Sequence, residues 1–144
     1  MKGTGIDTFV LDDGWFGARN NDCCALGDWR VNEKKVNLQK VADYAHNRGM
    51  KFGLWFEPEM VSENSDLYRA HPDWAIGVPG LKPCPGRSQL VLDLTRKEVR
   101  DYIVESVSEI LKSYPIDYVK WDMNRTLTDN YSVKLGKNGK ETHH

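Results

Sequence analysis

No apolar run in the sequence approaches the ~20 residues needed to cross a bilayer, so neither a membrane span nor a membrane partner is expected. The start, MKGTGIDTFV, lacks the charged-then-apolar layout of a signal peptide. Neither sign of charge dominates, with 20 Lys and Arg against 21 Asp and Glu. Proteins that grip phosphates usually display clustered cations, and without such a cluster no nucleic-acid partner is expected. Cysteine is scarce: Cys23, Cys24 and Cys84 are an odd set with two adjacent members, a poor disulfide framework. No CxxC occurs, and His46, His71, His143 and His144 do not fall at zinc-ligand spacing with the cysteines. Free thiols in a reducing cytoplasm, with no metal and no cofactor, are the expectation.

What is present suits a single domain with a real core, 144 residues of which 40% are hydrophobic. Short apolar runs alternate with helical patterns, as in βα units and a parallel sheet. Thr8-Phe9-Val10-Leu11 reads as a strand ending in Asp12-Asp13-Gly14-Trp15, followed by an irregular loop over 17–35. A helix over 38–48 follows, with Leu38, Val41, Ala42 and Ala45 on one face, Asn37 as N-cap and Gly49 just past the end. Lys51-Phe52-Gly53-Leu54-Trp55-Phe56 reads as a buried strand. Ser65 caps a short helix that must stop before Pro72. After a proline-rich loop over 77–86, a third apolar run, Gln89 to Leu94, leads into Thr95-Arg96-Lys97-Glu98, the pattern of a capping box. Val99, Tyr102, Ile103, Val107, Ile110 and Leu111 continue that helix face. Ile116 to Asp122 extends again, and residues 130–144 read as a polar loop or frayed end. Strand, helix, strand, helix, strand suits an open doubly wound sheet or part of a (β/α)8 barrel. A full barrel needs ~250 residues and eight units, of which about half are present, so length alone favours the open sheet.

Polar residues gather where the strands end: Asp12 and Asp13 after the first, Glu57 and Glu59 after the second, Asp122 and Asn124 after the last. Parallel α/β folds build sites at these carboxyl ends, so the acidic groups would face one pocket. Trp15, Trp55 and Trp121 lie beside them, and flat aromatic faces suit sugar rings. Duller roles stand alongside. Asp13-Gly14 suits a turn, Glu57 and Glu59 a solvated loop around Pro58, and Asp93 a structural post before the helix. Trp29 and Trp74 suit packing. Lys120 and Asp122 share a strand face by alternation, which serves a salt pair as well as a catalytic pair.

The segments FVLDDGWFGARNND, DWRVNEKK, GMKFGLWFEPEMV, QLVLDLTRKEVR and DYVKWDMNR resemble, in order and spacing, the microbial α-galactosidases of glycoside hydrolase family 36. The resemblance runs over residues 6–125, and WFEPEMV and KWDMNR are each long and specific. It implies a (β/α)8 barrel, here about half of one with parallel strands over residues 1–129. It implies that Asp122 is the nucleophile and that Lys120 and Asn124 contact the sugar. Asp12 and Asp13 would bind galactose hydroxyls, Trp55 would line the sugar site, and Arg87 would reach the same pocket.

The family's acid/base aspartate lies in a later segment, beyond a Cys-Ser-Gly-Gly-Gly motif, and has no counterpart here. Nor do the family's N-terminal β-sandwich, first barrel strand and C-terminal β-domain. The chain is therefore expected to be cut from a longer, homo-oligomeric protein that hydrolyses terminal α-galactosyl residues with retention. In that scheme Lys120 favours the anionic form of Asp122. The other classes are a Schiff-base lyase using Lys120 and a non-catalytic galactose-binding or structural fragment.

Overall fold

The computed structural model describes residues 5–78, 80–81, 86–124 and 131–136. Cys84, Arg125 and most of the 130–144 tail lie outside the described residues. Strand β1, Thr8–Leu11, is followed by helix α1, Leu38–His46, and then by strand β2, Lys51–Phe56. Two-residue strands β3, Met60–Val61, and β4, Leu90–Val91, flank helix α2, Asp66–Ala70, and a 3-10 turn, Pro72–Trp74. Helix α3, Lys97–Ser113, leads into strand β5, Tyr118–Trp121, and one further helical turn, α4, spans Val133–Gly136.

The local signals act as chemistry requires. Asn37 accepts from the Lys40 N–H to start α1, and Ser65 accepts from the Tyr68 N–H to start α2. Gly49 adopts φ 70°, the left-handed geometry that closes the α1 exit. The capping box before α3 does not form. Thr95 Oγ1 turns back to Asp93 Oδ1 at 2.6 Å, and the helix begins at Lys97 with no side-chain cap. Buried Asp93 holds the Thr95 and Ser132 hydroxyls, the structural post expected of it, and ties the α4 turn to the start of α3. A turn of helix thus occupies part of the stretch expected as a polar loop.

The sheet is parallel, in the order β1-β2-β5, with α1 and α3 as the crossovers. The third apolar run does not join it: Leu90 and Val91 pair antiparallel with Val61 and Met60. The parallel sheet among the described residues therefore has three strands, fewer than the run count suggested. Central β2 is buried from Phe52 to Phe56, whereas Phe9 on β1 and Tyr118 and Trp121 on β5 are exposed. Leu38, Ala42 and Ala45 of α1 and Val99, Ile103, Val107 and Ile110 of α3 pack into the same core as Phe52, Leu54 and Phe56. Gly53 is required by close approach. A Cβ there would stand 2.9 Å from Val10 Cγ2 and 3.0 Å from Tyr118 Cδ1. A hollow of about 600 Å³ between Phe9, Val41, Tyr44 and Met50 lies apart from every acidic group named above. No helix among the described residues is long and apolar enough to cross a membrane.

Candidate active site

Register builds the site. Leu54 lies between Leu11 and Val119, and the next residue, Trp55, is opposite Lys120. Continuing β1 by one residue brings Asp12 beside Trp55. Cross-strand partners in a parallel sheet point to the same face, so Asp12, Trp55 and Lys120 form a row across the strand ends. Lys120 Nζ and Asp12 Oδ2 close that row at 2.8 Å. The Asp122 N–H donates to Phe56 O at 2.8 Å, which prolongs the ladder and sets Glu57 and Asp122 side by side just past it.

Asp122 is the best-served carboxylate of the group. Its Oδ2 accepts from Trp55 Nε1 at 2.8 Å and from Asn124 Nδ2 at 2.9 Å, and its Oδ1 accepts from the Met123 N–H at 3.0 Å. The Trp55 hydrogen bond, followed by that from Asn124, holds the carboxyl below the ordinary range of an aspartate. Lys120 acts in the same direction but is the last of these causes, because its Nζ stands 3.9 Å away and is committed to Asp12. The ammonium expected to hold Asp122 ionised is thus outranked by an indole and an amide.

Lys120 is kept charged by Asp12, and Asp12 is correspondingly held low by Lys120. An amine nucleophile needs the opposite, a depressed pKa, so the Schiff-base reading of Lys120 loses its chemical basis. Trp55 is buried and meets the site with its N–H rather than with an open ring face. Trp15 is buried as well. Its Nε1 donates to Trp55 O at 2.9 Å, and its ring packs edge-on against Phe56 at 5.2 Å. Trp29 joins the same aromatic group, in the packing role expected of it.

Two side chains that local pattern misjudges hold this arrangement. Arg19, buried in the loop expected to be irregular, donates through Nη2 to Asp13 Oδ2 at 2.7 Å and through Nε to Asp13 Oδ1 at 3.0 Å. Asp13 is therefore fixed in direction, beyond any role in a turn. Arg19 also lies 3.7 Å from Asp22, and Asp22 lies 3.6 Å from Arg87. Arg87 thus joins the far end of a charge chain that starts at Asp13, rather than meeting Asp122 or Lys120 directly. The second is Glu57, which is 1% exposed rather than solvated. Its Oε1 accepts from the Asn124 N–H at 2.6 Å and its Oε2 from Gln89 Nε2 at 3.2 Å. Burial pushes its carboxyl above the ordinary range, and the neighbouring Asp122 charge adds to that. Glu59 accepts from Trp121 Nε1 at 3.0 Å. Arg19 and Glu57 both lie inside segments that carry the family resemblance, FVLDDGWFGARNND and WFEPEMV, and that membership was the signal that could have marked them.

Comparison with known proteins fits this geometry. A family model described as Melibiase matches residues 1–144. An α-galactosidase of Lactobacillus acidophilus is 58% identical over 136 residues, which is 93% of this chain and 19% of that protein. The α-galactosidase AgaA of Geobacillus stearothermophilus is 54% identical over 133 residues, 91% of this chain and 18% of that one. A variant of AgaA solved in complex with raffinose superposes with TM-score 0.82 at 54% identity, covering 87% of this chain and 18% of its own. The galactosidase domain of an α-galactosidase-sucrose kinase superposes with TM-score 0.84 at 54% identity, covering 93% and 19%. The chain spans about a fifth of the length of the relatives it matches. With the KWDMN segment of the sequence placed at a strand end and Asp12, just past the first strand, paired to its lysine, the chain belongs to the melibiase family, the α-galactosidases of glycoside hydrolase family 36.

Proposed function

We propose that this chain carries the nucleophile side of a retaining α-galactosidase site, with Asp122 attacking the anomeric carbon of a terminal galactosyl group. The observation that carries this is the triple hydrogen bonding of Asp122, which keeps it ionised at the end of a parallel strand. Oδ2 takes two of the three donors, which leaves lone-pair capacity on Oδ1 for attack. The three strands and their crossover helices are read as consecutive units of a (β/α)8 barrel, whose sites form at this end. Solved relatives were captured with raffinose and with stachyose, so terminal α-galactosyl residues of such oligosaccharides are the proposed substrates. Lys120, Asp12, Asp13 and Asn124 supply donors and acceptors that select galactose hydroxyls, and a sugar that leaves them unpaired is rejected. Trp55 serves from beneath, through Asp122, and Arg87 serves through Asp22 at the rim.

Retaining hydrolysis needs a second carboxyl about 5–5.5 Å from the first, able to reach the leaving oxygen. Asp12 is paired with Lys120, Glu57 is buried with both oxygens engaged, and Glu59 holds Trp121. None of these described carboxylates is free for that role, and the family resemblance assigns the acid/base group to a later segment than those matched here. The test is a full-length relative in which this chain replaces the matching segment, assayed with an aryl α-galactoside. The hybrid should turn over and the 144-residue chain alone should not. An inactive but folded hybrid, or an active isolated chain, contradicts the proposal.

A further inference from the structure

The end of β2 grips the end of β5 at alternate positions. Trp55 holds the side chain of Asp122, and Glu57, two residues on, holds the backbone N–H of Asn124. Asn124 in turn reaches back through Nδ2 to Asp122 Oδ2 at 2.9 Å, closing a ring of contacts between the two strands. Among the described residues the last ladder bond of β5 is that of the Asp122 N–H, and no sheet pairing is seen at Met123 or Asn124. We infer that Glu57 is a positioning residue for the reaction: by anchoring the Asn124 backbone it sets the turn that aims Asp122 and the Asn124 amide at the sugar, without touching substrate itself.

This rests on the reading of Asp122 as nucleophile. Several observations separate it from a purely packing role. A buried carboxyl is costly unless its hydrogen bonds are made, and both Glu57 oxygens have partners. Burial and the neighbouring Asp122 charge raise the Glu57 pKa, whereas hydrogen bonds from Trp55 and Asn124 lower that of Asp122, so the two adjacent acids are pushed in opposite directions. The groups facing Asp122 are Glu57 and Trp55 from β2, Asp12 beyond β1, and Lys120 and Asn124 from its own segment. Of these, Glu57 alone acts on the backbone that carries Asn124. Through Gln89 it also couples that turn to the loop holding Arg87.

The test compares Glu57→Gln and Glu57→Asp in the full-length hybrid, since each keeps a polar side chain at a site already shaped for one. Glu57→Gln keeps the acceptor at the same reach, and should retain kcat within about threefold. Glu57→Asp keeps a carboxyl but draws it back from the Asn124 N–H. It should lose roughly 10- to 100-fold in kcat with a smaller change in KM, the cost of misplacing a reacting group by about 1 Å. Its acid limb should also move to higher pH, because the Asn124 donor on Asp122 loosens. Equal kcat in the parent and Glu57→Asp overturns the inference. So does a Glu57→Gln variant as impaired as Glu57→Asp, which would mark Glu57 as a proton-transfer group. An inactive parent hybrid overturns the reading of Asp122, and this inference with it.

Discussion

Glu57 and Asp122 occupy equivalent places, each the first residue beyond a parallel strand and neighbours across the β2–β5 pair, yet their pKa values are pushed in opposite directions. Glu57 follows the buried central strand and is 1% exposed, and desolvation raises its pKa. Asp122 follows the outer strand of the described sheet, its side chain is 27% exposed, and hydrogen bonds from Trp55 and Asn124 lower its pKa. Position along the strand alone does not set how a carboxylate is held; burial and the hydrogen-bond donors around it do.

The contrast is broken most visibly by replacing the carboxyl with a carboxamide at each place in the full-length hybrid. Asp122→Asn should cost up to ~10⁶-fold in turnover of an aryl α-galactoside, because the covalent route is lost. Glu57→Gln should cost almost nothing in the same assay. Comparable losses in the two would mean that the roles are not distinct.

Next in size is the donor that makes Asp122 different. Trp55→Phe removes the first-ranked cause of its lowered pKa. A nucleophile must be ionised, so activity fades as pH falls through its pKa. Raising that pKa moves the acid limb of kcat/KM to higher pH. A limb that stays in place would show that Lys120, and not Trp55, governs the ionisation.

A smaller effect is expected from the sheet that sets the two acids side by side. Gly53→Val places methyls against Val10 and Tyr118, and overpacking of this kind costs ~1–3 kcal/mol. Thermal melting of the hybrid should register it as a lower Tm. Smallest is Arg19→Met, which frees Asp13 while leaving Asp122 untouched. Preference for galactose over glucose should fall roughly tenfold, as for one charge-assisted hydrogen bond of about 1.5 kcal/mol. Unchanged discrimination would confine Asp13 to holding its loop.

Much of this was legible in the sequence because the signals are local. Strand runs, the Asn37 and Ser65 caps and the apolar face of α3 need only near neighbours to be read. What failed depends on competition or distance. Thr95 has the right spacing for a capping box, but buried Asp93 claims its hydroxyl first. Leu90 and Val91 have strand composition, but the direct β2–β5 pairing leaves them to the short Met60–Val61 edge. Glu57 looked solvated beside Pro58 because its partner, Asn124, lies 67 residues away. The Lys120–Asp122 spacing was read correctly as one face, but Asp12, from another strand, takes the ammonium.

If Asp122 is the nucleophile, it must form the covalent intermediate. The direct measurement is mass analysis of the full-length hybrid after reaction with an activated fluoro-galactoside that traps the glycosyl-enzyme. One added sugar is expected on the peptide Trp121-Asp122-Met123-Asn124-Arg125, located on Asp122. A label on Glu57, Glu59 or Lys120, or steady turnover with no trapped adduct, would contradict it.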